Sequence, residues 1–257
     1  MPPDGAGPTD GYAFDEGHRL YPAVRSALSG PGMEGLPAAS LRVHARDDMY
    51  RFCQVTRPSE ELGTMAYFQR GIQIHRTLVD CARAHFGRTA GPGSICDFAA
   101  GYGRSTRFLP AAFPGRDLHA VEIQPEAVEF LEDEIGVRAH LSCTAPEDFG
   151  CEAGFDYVFV CSLFSHLPER TFGPWLARLF DLLTPDGLLA FSVHGETVMQ
   201  PGWTMPAEGI LYMRTTEVPS LDLEDYGATV VTEEFVARAL REHLGVSAYR
   251  RFARGLC

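Results

Sequence analysis

Residues 94–104 read Ser-Ile-Cys-Asp-Phe-Ala-Ala-Gly-Tyr-Gly-Arg, and this stretch decides the fold. A short apolar run carries one acid, Asp97, turns through Gly101 and Gly103, and enters Arg104–Ala112, which reads as a helix. Strand, glycine turn and helix in that order leave backbone amides at a helix N-terminus facing outward beside an acid. Such a turn suits a nucleoside-containing cofactor. The next parallel strand is expected about twenty residues on, and Asp117-Leu-His-Ala-Val-Glu-Ile fills that place, with Glu122 at its tip. The helix that follows has Pro125 near its first turn and Ala127, Val128 and Leu131 on one face. A carboxylate at a strand tip can accept both hydrogen bonds of a ribose diol, so Asp97 through Glu122 reads as one βαβ nucleoside site.

Two cofactor classes use this geometry. A dinucleotide enzyme wants G-x-G-x-x-G, but the third glycine position is Thr106. Asp97-Phe-Ala-Ala-Gly-Tyr-Gly instead resembles the acid-and-glycine loop of class I, Rossmann-like S-adenosylmethionine-dependent methyltransferases, with Ala99 at the loop's first glycine. Val121–Ala127 resembles that family's second motif, and the resemblance extends from residue 64 to 251 through five segments in the right order. It implies an α/β, three-layer Rossmann-like sandwich: a mostly parallel twisted sheet with helices on both faces, an N-terminal helical extension and an insertion after strand five.

The resemblance also implies S-adenosyl-L-methionine as cofactor and a set of site residues. Asp97, Ala99, Gly101, Tyr102 and Gly103 form the loop, Glu122 and Ile123 the ribose side, and Cys161 the tip of strand four. Ala145 and Glu147 lie in the loop expected to hold adenine, where Thr144 stands in place of the common Asp. Tyr67, in Met65-Ala-Tyr-Phe-Gln-Arg-Gly71, resembles a helical tyrosine that reaches the methionine end; packing on the core is the plain alternative. His166 and His194 follow strands four and five, whose tips should open on the ligand crevice, and are the candidate catalytic bases. Each also has a structural reading, as a cap or packing residue.

Composition narrows the setting. A chain of 257 residues that is 45% hydrophobic can bury one sizeable core. A net charge of −12 argues against a nucleic-acid backbone as partner. Seven cysteines without a C-x-x-C pair suit a reducing compartment. No apolar run reaches membrane-span length and no signal-peptide pattern opens the chain, so a soluble, cytoplasmic protein is expected. His and Cys residues lack metal-ligand spacing.

Residues 1–63 read as an extension, loose over 1–40 apart from a short helix at Tyr21–Leu28, and irregular over 41–63, with Pro58 as a breaker. A helix is expected from Thr64, and the methyltransferase domain over 64–257. Residues 195–232 read as a surface excursion with short strands at Ile210–Arg214 and Thr229–Val231, or, as the resemblance implies, as a lid or substrate insertion. Glu233–Leu244 reads as a helix and Gly245–Arg251 as strand six, leaving too little chain for the family's seventh strand. The expected function is methyl transfer to an oxygen or nitrogen of a small-molecule acceptor, without nucleic acid or membrane partners. An NAD-dependent oxidoreductase and a non-catalytic binding protein of the same fold are the alternatives.

Overall fold

A computed structural model describes residues 11–29, 38–151, 154–216 and 221–252. The extension and first helices are β1 (Tyr12–Phe14), α1 (Tyr21–Ala27), β2 (Val43–His44), α2 (Asp48–Thr56) and α3 (Glu60–Ala90, broken at Gly87). Next come β3 (Ser94–Phe98), α4 (Leu109–Ala112), β4 (Asp117–Glu122), α5 (Pro125–Phe130) and β5 (Arg138–Leu141). The second half holds β6 (Phe155–Val160), α6 (Glu169–Phe180), β7 (Leu183–Phe191), β8 (His194–Gly195), β9 (Ile210–Met213), β10 (Ala228–Val231) and α7 (Glu233–Leu244).

The main sheet has the order β5-β4-β3-β6-β7, with every pair parallel. Parallel strands covered on both faces read as continuous apolar runs, which is how β3 and β6 announce themselves. Phe98, Val158 and Val160 pack on one side against Phe172, Trp175, Leu176 and Leu179 of α6 and Phe235 and Leu240 of α7. Ile95, Tyr157 and Phe159 pack on the other against Ile74, Leu78, Val79 and Ala82 of α3. The result is a three-layer, Rossmann-like α/β sandwich. The chain steps outward from β3 to β4 and β5, then returns to β6 and β7. That reversal lies between β3 and β6, and ligand crevices open at the carboxyl ends of such a pair.

The N-terminal segment packs on the same side as α3. Phe14, Val24, Leu41 and Val43 share a buried cluster with Tyr50 of α2 and with Tyr67, Phe68 and Ile72 of α3. Residues 41–63 are therefore not irregular. Asp47 caps α2 by accepting from Tyr50 N at 3.0 Å, Ser59 caps α3 at Leu62 N, and Pro58 falls between the two helices. The stretch Arg104–Ala112 is also not one helix: a 3₁₀ turn at Thr106–Phe108 precedes the single turn of α4, where Pro110 sits in the first positions.

The expected strands at Ile210–Arg214 and Thr229–Val231 are β9 and β10. They form a separate sheet in the order β8-β10-β9, with β10 parallel to β8 and antiparallel to β9. The strand expected over Gly245–Arg251 does not form. Gly245 closes α7 in the left-handed region (φ 66°), and Ser247 to Arg251 are exposed, so no face of that segment is buried against the sheet. Residues 253–257, on which the absence of a seventh strand partly turned, lie outside the described residues.

Candidate functional site

The turn after β3 is built from left-handed backbone. Ala99, Gly101 and Gly103 have φ of 59°, 57° and 72°. Ala99 bears the steric cost of a Cβ in that region, about 1–2 kcal/mol. A Cβ on Gly103 would sit 3.0 Å from Leu131 and 3.3 Å from Ile135, so that glycine permits the turn to close on the segment after α5. A Cβ on Gly101 would meet nothing within 4 Å; the space belongs to the cleft that Gly101 lines.

Two buried carboxylates hold this turn. Asp97, 1% exposed, accepts from the Thr106 hydroxyl at 2.7 Å and the Ser105 hydroxyl at 3.4 Å. Burial pushes its carboxyl up to about 6 against the pull of those hydroxyls. Glu122 Oε2 accepts from Gly101 N at 2.8 Å, while Oε1 accepts from Ile123 N at 2.8 Å and Gln124 N at 3.2 Å. Burial raises this carboxyl too, and the three amides oppose the rise. With two acceptor directions on each oxygen, Glu122 keeps capacity for a further donor.

Around this turn runs a cleft of about 1360 Å³, open mouth included. Its floor is Asp97–Tyr102 with Arg104, and the tip of β4 with Ile123 and Gln124 forms one wall. Ser142–Thr144, after β5, extend that wall. Cys161–Leu163 and His166 come from the loop after β6, Asp47–Met49 from the start of α2, and Asp222, Asp225 and Tyr226 from the insertion. Ser162 is itself left-handed (φ 68°), held by Ser192 Oγ, which accepts from its amide at 2.9 Å.

Of the residues named from sequence, Asp97, Ala99, Gly101, Tyr102, Glu122, Ile123, Cys161 and His166 line the cleft. Gly103 packs behind it. Tyr67 is fully buried off the wall, and its hydroxyl donates to Asp47 at 2.5 Å. Ala145 and Glu147 lie past the wall residues Ser142–Thr144, and Glu147 is exposed. His166 is buried, and its Nδ1 lies 2.6 Å from the Gly227 carbonyl. A carbonyl partner requires the proton on Nδ1, which leaves the basic lone pair of the neutral ring on Nε2. The ring stacks on Tyr226 at 4.4 Å. His194 stands off the wall, its ring 6.4 Å from that of His166. Sequence reading missed Asp47, Asp48, Ser162, Asp222 and Asp225. Asp47-Asp48 ahead of a mixed apolar run was a legible helix-start signal.

The methyltransferase domain family matches residues 96–189, from β3 into β7. Residues 96–189 are thus similar to a methyltransferase domain, and the parallel sheet and glycine turn around them have the Rossmann-like fold. Among solved structures the chain resembles the O-methyltransferase of a trans-AT polyketide synthase multienzyme from Brevibacillus brevis, in complex with S-adenosylhomocysteine (13% identity, 75% of this chain and 58% of that one, TM-score 0.52). It also resembles the sugar N-methyltransferase KedS8 from a Streptoalloteichus species (17% identity, 67% and 78%, TM-score 0.50). A third similar structure is the 1,6-didemethyltoxoflavin-N1-methyltransferase of Burkholderia thailandensis (25% identity, TM-score 0.46). The match covers 66% of this chain and 66% of that enzyme, so the chain spans slightly under two thirds of its length. No curated protein matches the chain. Among the described residues, no helix is long and apolar enough to cross a membrane.

The cofactor of this domain family is S-adenosylmethionine, and the residues present fit it. Gly101 leaves open space where a side chain would stand, and Glu122 offers a carboxylate beside it at a strand tip.

Proposed function

We propose that this methyltransferase moves a methyl group from S-adenosylmethionine to an oxygen or nitrogen of a small-molecule acceptor. The observation that carries the reading is Glu122 gripping Gly101 N inside a cleft that continues to His166. Bound there, the cofactor supplies a methyl carbon already activated by a sulfonium. The protein's part is to hold, orient and exclude water.

In this reading Glu122 accepts the ribose hydroxyls, the turn Ala99–Gly103 cups the chain beyond the ribose, and Ile123 and Cys161 flank the nucleoside. Ala145 and Glu147 back the adenine wall formed by Ser142–Thr144. Asp97 anchors the turn through the Ser105 and Thr106 hydroxyls, and Tyr67 acts through Asp47. His166 is the acceptor-side base, taking the proton on Nε2 while Nδ1 stays on Gly227 O. His194 sits behind it in a supporting place.

Among the described residues, the lining carries Asp47, Asp48, Asp97, Glu122, Asp222 and Asp225 against the one guanidinium of Arg104, which favours neutral or cationic acceptors over phosphorylated ones and over nucleic acid. A reducing, cytoplasmic setting belongs to the same proposal, supported by free thiols at Cys53, Cys96 and Cys161.

A thermal-shift comparison tests the reading. S-adenosylhomocysteine should raise the unfolding temperature and NADH should not; protection by NADH alone would favour an oxidoreductase.

A further inference from the structure

Asp47 is 3% exposed, yet it lies on the cleft wall. Its Oδ2 accepts from the Tyr67 hydroxyl at 2.5 Å and its Oδ1 from Tyr50 N at 3.0 Å, so each oxygen keeps an acceptor direction. Among the described residues, no arginine or histidine forms an ion pair with it. A carboxylate withdrawn from water without a cation is costly, and this one faces a ligand cavity.

Among the described residues, Arg104 is the only arginine or lysine on the cleft lining. Its guanidinium lies 5.9 Å from the centroid of the Tyr67 ring, the same tyrosine whose hydroxyl fixes Asp47. The two opposite charges thus flank one side chain without pairing with each other. They stand at the β3 and α3 end of the cleft. Ser142–Thr144 stand at the β5 end, and Glu122 lies between. The charge of Asp47 reaches both neighbours on that path, raising the carboxyl of Glu122 and the phenol of Tyr102 as a lesser contribution beside burial. A ligand laid from the β5 wall across Glu122 presents its far end to Asp47 and Arg104.

We propose that Asp47 and Arg104 form the subsite for the zwitterionic amino-acid end of the cofactor, Asp47 receiving the ammonium and Arg104 the carboxylate. The inference rests on the cofactor reading given above. Tyr67 is a positioning residue: it orients Asp47 and touches no ligand. This separates the role of the N-terminal segment from mere cover, because Asp47, the cap of α2, delivers a charge to the site.

The test is calorimetry of the full chain with two ligands, S-adenosylhomocysteine and 5′-methylthioadenosine, which lacks the amino-acid end. Asp47→Asn keeps a good helix cap. It should weaken S-adenosylhomocysteine by roughly tenfold or more while leaving 5′-methylthioadenosine within about twofold. Arg104→Gln should show the same selective loss, and Tyr67→Phe a smaller one of the same kind. If Asp47→Asn does not fold, Arg104→Gln and Tyr67→Phe carry the test. Equal losses for both ligands, or no loss for S-adenosylhomocysteine, would overturn the subsite and leave the cofactor reading standing. Failure of the unaltered protein to bind either ligand would overturn both.

Discussion

Arg107 donates from Nη1 to the carbonyl of Arg42 at 2.8 Å, across 65 residues of chain. The same side chain, 2% exposed, donates to the carbonyls of Ser40 at 3.1 Å, Gly103 at 2.9 Å and Tyr102 at 3.2 Å. One planar fork therefore ties the N-terminal segment to the glycine turn. A lysine cannot reproduce that fork. Arg107→Lys should cost roughly 2–4 kcal/mol, because buried carbonyls lose their donor. Urea unfolding at neutral pH reads this directly, and a loss under 1 kcal/mol would show that the tie matters little.

Asp97 gives a pH signature. Its carboxyl titrates near about 6 in the fold against an ordinary value of 3.8. Between those values the folded chain keeps a proton that the unfolded chain has released, so this group's contribution to stability falls as pH rises through 6. Asp97→Asn removes the effect. Between pH 4 and pH 7.5 the stability difference between the two proteins should shift in the variant's favour by roughly 2–3 kcal/mol. A difference between the two proteins that does not change with pH contradicts this.

Gly71 marks where α3 meets the turn. A Cβ there would lie 2.3 Å from the backbone oxygen of Arg104, an atom that cannot swing away. Gly71→Ala should destabilise by about 1–3 kcal/mol and weaken S-adenosylhomocysteine by displacing Arg104. Gly150, where a Cβ meets nothing within 4 Å, supplies the control: Gly150→Ala should leave both readouts near the unaltered values.

Much of this was legible in the sequence for identifiable reasons. The central strands β3, β4 and β6 are largely buried, and the apolar runs of β3 and β6 stand out. Glu122 stood out as an acid ending such a run, and α7 as an amphipathic stretch closed by Gly245. Asp47 was not legible as a site residue, because it reaches the cleft only through the packing of β2 and α2 against α3. Asp222, Asp225 and Tyr226 reach it because Gly227 N donates to His166 O at 2.9 Å and Thr229 N to Ser165 O at 2.7 Å, contacts no periodicity encodes. The strand expected over Gly245–Arg251 failed for the opposite reason: its residues suit a strand, but no sheet edge takes them up.

In the proposed function, Glu122 holds the nucleoside of S-adenosylmethionine against the glycine turn. Isothermal calorimetry of S-adenosylhomocysteine with the unaltered protein and with Glu122→Ala, each shown folded by circular dichroism, tests it most directly. The unaltered protein should bind one-to-one, and the variant should lose roughly ten- to a hundredfold in affinity. No binding heat with the unaltered protein, or equal affinity in the variant, would contradict it.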